Sequence, residues 1–102
     1  MSAEDEHSKR IVDRAASGVA DVISRYRANE LEFSRMVDGI ETWINSLIEV
    51  ADPEWIDEWR GHWNRLEYVN ASMIDEGRQR PSPDELKMLD DAVDALDRMA
   101  RR

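Results

Sequence analysis

Apolar residues recur at intervals of three and four along most of the chain, which is the period of an amphipathic helix. One frame persists between residues 12 and 51. Val12, Ala15, Ala16, Val19, Val22, Ile23 and Tyr26 are followed in phase by Phe33, Met36, Val37, Ile40, Trp43, Ile44, Leu47, Val50 and Ala51. It lapses only at Asn29 and Glu30. Two readings fit that lapse. The helix can run straight through, at a length of about 60 Å, or it can break. Asn29 followed by Glu32 resembles a capping box, from which a second helix could start. A break near 28–29 is preferred, because a 60 Å rod in so small a chain leaves apolar surface uncovered.

The later elements carry sharper punctuation. Asp52-Pro53 is an N-cap followed by proline at the first helical position, where its missing N–H costs nothing. The stripe behind it is Trp55, Ile56, Trp59, Trp63, Leu66, Val69 and Met73, with Gly77 as C-cap. Ser82, Pro83 and Glu85 form a second start signal, a capping box with proline at its first position. Leu86, Leu89, Val93, Leu96 and Ala100 continue from it. No alternating run flanks a hairpin dipeptide, so strands have no support. The pattern predicts one all-α domain over residues 1–102, an antiparallel bundle of three to four helices. The helices fall near 4–28, 30–51, 53–76 and 83–101; the three-helix form has one long N-terminal helix. Residues 1–8 are expected to be a frayed acidic tail.

Charge changes the picture more than composition does. The chain of 102 residues has 23 acidic and 14 basic residues and a formal net charge of −9. Residues 1–28 and 77–102 each sum to zero, so the whole excess lies between 29 and 76. Such a surface repels polyanions, so neither nucleic acid nor an anionic membrane is an expected partner. A basic protein surface is the partner class left, against the plainer reading that the charge maintains solubility. There are no cysteines, hence no disulfides or thiolate sites. No apolar run exceeds two residues, too short for a membrane span or signal peptide, which predicts a cytoplasmic protein.

Four groupings invite a chemical reading. Trp55, Trp59 and Trp63 step by four along one face, and Trp43 precedes them. They read as a partner-binding or dimer seam, or as core rings in phase with Leu66 and Met73. Glu54, Glu58 and His62 also step by four. Two carboxylates and an imidazole could hold Zn²⁺ or Mn²⁺ if another helix supplied further ligands, though neither HExxH nor paired ExxH occurs. Asp90, Asp91, Asp94 and Asp97 make an acidic strip on the last helix. The all-α nucleotide pyrophosphohydrolases hold Mg²⁺ with such clusters, but their EExxE element is missing, and the plainer reading is a solvated face. Asn70 falls on the apolar stripe, where it is either a buried amide or an edge residue meeting water.

Trp59-Arg60-Gly61 is similar to the WxG signature of the small helical-hairpin proteins exported by type VII secretion. That resemblance covers three residues and implies a two-helix hairpin with an export tag. The WxG lies well inside a helix rather than in a turn, and the one YxxxE match, Tyr26 to Glu30, precedes it. With no GxSxG, GxGxxG or Walker loop present, the sequence reads as a small acidic non-catalytic interaction or regulatory module. It is expected to self-associate as a homodimer, to need no cofactor, and to act as an adaptor or inhibitor of a basic protein. A metal-dependent hydrolase and an exported hairpin are the alternatives.

Overall fold

The computed structural model describes the backbone of residues 3–101 and the side chains of residues 6–101. It contains four helices, α1 (Ala3–Arg27), α2 (Phe33–Asn45), α3 (Pro53–Asp75) and α4 (Pro83–Ala100), and no strand among the described residues. Each helix packs against the next in sequence, and α4 closes the ring on α1. The result is an up-down-up-down four-helix bundle. Residues 3–8, expected to fray, belong to α1. Glu6 lies near its start, where an acid favours the positive end of the helix dipole.

The lapse at Asn29 is a break, but Asn29 does not open α2. It closes α1. Its φ of 61° is left-handed, and Glu30 N–H donates to the Arg25 carbonyl while Asn29 N–H donates to that of Tyr26. This is a Schellman motif, which asparagine tolerates better than other residues with a Cβ. Gly77 ends α3 the same way, with φ 65° and Arg78 N–H on the Met73 carbonyl. The other signals hold as read. The Asp52 carboxylate accepts from Glu54 N–H at 2.8 Å, and Ser82 and Glu85 complete a reciprocal capping box. The Arg78 guanidinium grips the Glu85 carboxylate through both oxygens, at 2.6 and 3.1 Å. Those bonds, with the Ser82 N–H, hold the Glu85 carboxyl down at about 2.

Helix α2 stops at Asn45, short of the expected 51. Ser46 Oγ donates to the Trp43 carbonyl at 2.6 Å. From Leu47 to Val50 the backbone bonds tighten to an i to i+3 spacing, as where a helix end narrows into a turn. Leu47 stays buried through this corner while Ile48 turns outward. The apolar period thus outlasts the helix.

All four stripes face inward. Val19 and Ile23 of α1, Met36, Val37 and Ile40 of α2, Trp59, Leu66 and Val69 of α3, and Leu89, Ala92 and Leu96 of α4 have no exposed surface. The exposed large apolar residues, Ile48, Tyr68, Ile74 and Leu86, stand on three different elements. Scattered singly, such residues are ordinary. The α1–α2 contact is made close by glycine. The Trp43 indole lies directly over Gly18, so that a Cβ built there would be 2.1 Å from Trp43 Cε2. A Cβ built on Gly39 would lie 3.3 Å from the methyls of Val22 on the opposing helix, and Tyr26 tilts against Phe33 at 5.9 Å between ring centroids.

Two glycines inside helices therefore predict opposite responses. Gly18→Ala must displace the Trp43 ring and should lower unfolding free energy by about 1–3 kcal/mol, the usual cost of overpacking. Gly61, with nothing within 4 Å of a built Cβ, should gain about 0.5–1 kcal/mol as alanine from helix propensity alone. Urea denaturation of the two single variants measures both; equal signs would show that the Trp43–Gly18 contact does not constrain the hairpin.

Candidate functional site

The fold divides the four tryptophans. Trp59 has no exposed surface and belongs to the core. Its ring meets Trp55 edge-on, 5.3 Å between centroids at 77°, a favoured aromatic geometry. Trp63 is half-buried and donates its indole N–H to the Val37 carbonyl at 2.9 Å, fastening α3 to α2. Trp43 is spent on Gly18. Of the proposed seam, Trp43, Trp55 and Trp63 keep partial access to solvent and Trp59 keeps none. The WxG tripeptide lies inside α3, and the bundle has four helices where that resemblance implies two.

Glu54, Glu58 and His62 lie along one edge of α3, and only His62 is partly buried. Among the described residues no three His, Asp or Glu side chains stand together in a way that could hold a metal ion. The fold brings His62 instead to the acidic strip of α4. His62, Arg65, Asp91, Asp94, Ala95, Asp97 and Arg98 line a shallow depression of about 640 Å³ between α3 and α4. Arginines already occupy two of its three carboxylates. Arg27, at the end of α1, pairs with both Asp94 and Asp97, and Arg101 pairs with Asp97 at 2.9 Å. The strip is thus an ion-pair seam between α1 and α4, a cross-helix role that spacing along one helix does not reveal.

His62 Nδ1 is buried without a hydrogen-bond partner among the described residues. A proton there would be a donor with no acceptor among the described residues, which disfavours the charged imidazole. Burial, then Arg65, push its pKa below the ordinary 6.5; Glu58 opposes and Arg98 adds a little.

The acids of α2 and α3 behave unlike those of α1 and α4. Asp21 pairs with Arg25, Asp94 and Asp97 with Arg27, and Glu85 with Arg78. Of the twelve acids between residues 29 and 76, only Glu76 makes an ion pair among the described residues, with Arg78. Asp52 is a helix cap. The other ten are free, and all but the half-buried Glu67 are exposed. Three basic residues share that segment, and Arg60 among them bonds to the Asn45 side chain rather than to a carboxylate. Because α2 and α3 are neighbours, the bundle has one acidic side and one side where acids and bases balance.

A second feature was not legible in the sequence. At the end of the bundle holding the α1–α2 and α3–α4 connections, Glu32, Phe33, Ser34, Asn70, Met73, Ile74, Arg78 and Gln79 line a cleft of about 510 Å³. It adjoins a second hollow of about 590 Å³ that shares Glu32, Phe33 and Gln79 and runs on to Tyr26, Leu31 and Pro81. Asn70 is buried at 8% exposure, yet it lines the cleft. No helix among the described residues is long and apolar enough to cross a membrane. No protein-family model matches the chain, and neither a curated protein nor a solved structure is significantly similar to it.

The lowered His62 pKa makes stability depend on pH in a defined sense. A pKa lowered by folding means that the unfolded chain binds the proton more tightly. Stability is complete above the unfolded value near 6.5 and is lost as pH falls below it, until the folded group also protonates. The urea midpoint should drop between pH 7.5 and pH 5, and His62→Gln should flatten that drop. An unchanged slope in the variant would remove His62 as its source. Zn²⁺ or Mn²⁺ should leave the melting temperature where it is, since a bound ion must stabilise the folded state.

Proposed function

We propose that this protein is a non-catalytic interaction module that docks a basic protein surface through the acidic side formed by α2 and α3, acting as an adaptor or an inhibitor. One observation carries the reading. Ten carboxylates between residues 29 and 76 make no ion pair among the described residues and share their segment with only three basic residues, whereas residues 1–28 and 77–102 each carry as many bases as acids. Unpaired like charges on one side self-repel, weakening the compact state slightly. A cationic partner relieves that repulsion and is steered to this side before contact. Ion pairs formed at an exposed rim each contribute little, so the steering acts mainly on the association rate and gives it a steep salt dependence.

Self-association is the second part of the proposal. It rests on the solvent access kept by Trp43, Trp55 and Trp63, and on Ile48, exposed beside Pro53 and Ile56 at the α2–α3 corner.

Partner capture from the native lysate, followed by binding kinetics with the purified partner, tests the first part. The captured protein should be basic. Its association rate should fall steeply between 50 and 300 mM salt and should fall again, about tenfold or more, when Glu41, Glu49, Glu54 and Glu58 are all changed to Gln. A partner whose association ignores both salt and these four substitutions would refute the reading. Sedimentation velocity tests the second part, and a single monomeric species at every concentration would exclude the homodimer.

A further inference from the structure

Helix α2 is the one helix of the three with described N-caps that lacks side-chain capping. Asp52 caps α3 and Ser82 caps α4, whereas Glu32 precedes α2 with no such bond. The first intrahelical bond of α2 is Met36 N–H to the Glu32 carbonyl. The N–H groups of Phe33, Ser34 and Arg35 therefore have no partner among the described residues, as expected for an uncapped first turn. The first two of these residues line the cleft.

A helix start alone binds nothing in particular. Asn70 is the independent observation. Its side chain is more than nine-tenths buried and lines the same cleft, yet its amide makes no hydrogen bond with any described residue. It is also not sealed off, because the occluded side-chain atoms without partners are Trp59 Nε1 and His62 Nδ1. A buried amide in this condition calls for both a donor and an acceptor from outside the fold.

The surroundings select the class of molecule. Phe33, Met73 and Ile74 give the cleft an apolar floor. Glu30 and Glu32 flank it as free acids, and the Arg78 guanidinium is engaged by Glu76 and Glu85. A free anion would take the helix N–H groups but would meet those two carboxylates. An isolated cation would pair with the carboxylates and leave the N–H groups unmet. An extended peptide satisfies both demands, since each residue brings one carbonyl and one N–H, an apolar side chain can rest on the floor, and a lysine or arginine can reach Glu30 or Glu32.

We propose that this cleft, continued by the hollow towards Tyr26 and Pro81, binds an extended polypeptide segment of a partner protein, with main-chain carbonyls on the first turn of α2, the Asn70 amide bridging the peptide backbone, and a basic side chain on Glu32. The proposal rests on the interaction-module reading and adds where, and in what conformation, a partner is gripped.

Selection of a random heptapeptide library on phage against the full-length chain tests it. Enriched peptides should carry Lys or Arg beside an apolar residue. A synthetic capped copy should shift the backbone amides of Ser34 and Arg35 and the side-chain amide of Asn70 in ¹⁵N–¹H correlation spectra. Asn70→Ala and Glu32→Lys should each weaken it about tenfold, the size of one lost hydrogen bond or ion pair at a docked peptide. Glu32 is exposed, so its variant remains informative if the Asn70 variant folds poorly. No enrichment, peptides that leave those resonances unmoved, or binding that requires a peptide carboxylate would each overturn the proposal, the last by showing an anion site. Failure here with the salt-sensitive partner intact removes only the cleft. Peptide binding that survives while the four-glutamine variant fails to alter partner association removes only the acidic surface.

Discussion

The architecture depends on reversing the chain at Asn29. The apolar frame from Val12 to Ala51 is nearly continuous, and helix propensity alone would carry it through as one rod. A left-handed asparagine stops it, because two successive N–H groups turn back onto the Arg25 and Tyr26 carbonyls. Once the chain is reversed, the same stripe faces itself, and Trp43 comes down on Gly18. A glycine is needed there because the helices are too close for a Cβ under an indole. The remaining two helices close a groove that this hairpin has already defined.

The order of helices also decides where the charge goes. In an up-down-up-down bundle, sequence neighbours are spatial neighbours. An acidic middle of the chain must then form one contiguous side, α2 with α3, while the two balanced ends meet as α1 and α4. The contact between those ends is built of ion pairs, Arg27 with Asp94 and Asp97. These pairs are partly exposed and contribute modestly to stability. Their larger effect is to offset half of the α4 strip, Asp94 and Asp97, while the unbalanced charge of the sequence lies on the other side.

Much of this was readable from local chemistry. Asp52-Pro53, Ser82-Pro83-Glu85 and Gly77 mark helix ends through bonds that close within a few residues, and such bonds are written in the sequence. The inward stripes follow from period alone. What was not readable depends on a second element. Asn29 followed by Glu32 has capping-box spacing, but the chain uses Asn29 to end a helix instead, a choice between two local motifs made by the register of α1 against α2. The corner at 46–51 keeps its period while losing its helix, because Leu47 must stay buried as the chain turns. Trp59 and Trp55 share a stripe, and only the positions of α2 and α4 decide that one is sealed and the other is not. His62 was grouped with Glu54 and Glu58 by spacing, whereas burial groups it with Asp94 and Asp97 across the helix interface.

Where a small bundle departs from self-sufficiency is informative in itself. Much of this fold satisfies its own groups: two capped helix starts, four paired carboxylates on α1 and α4, a closed apolar core. Besides the partnerless Trp59 Nε1 and His62 Nδ1 on α3, three exceptions involve α2 and α3. They are ten unpaired acids, one uncapped helix start and one buried amide without a partner. The last two could each be removed by a single ordinary substitution, such as serine at position 32 or leucine at position 70. Folded sequences tend to be locally consistent, with violations concentrated where function requires them. On this chain the unbalanced charge lies on one side, and the uncapped helix start and Asn70 meet at one end of it. That distribution favours a surface built to be completed by another polypeptide over charge retained for solubility alone, because solubility needs neither an open helix terminus nor a buried asparagine.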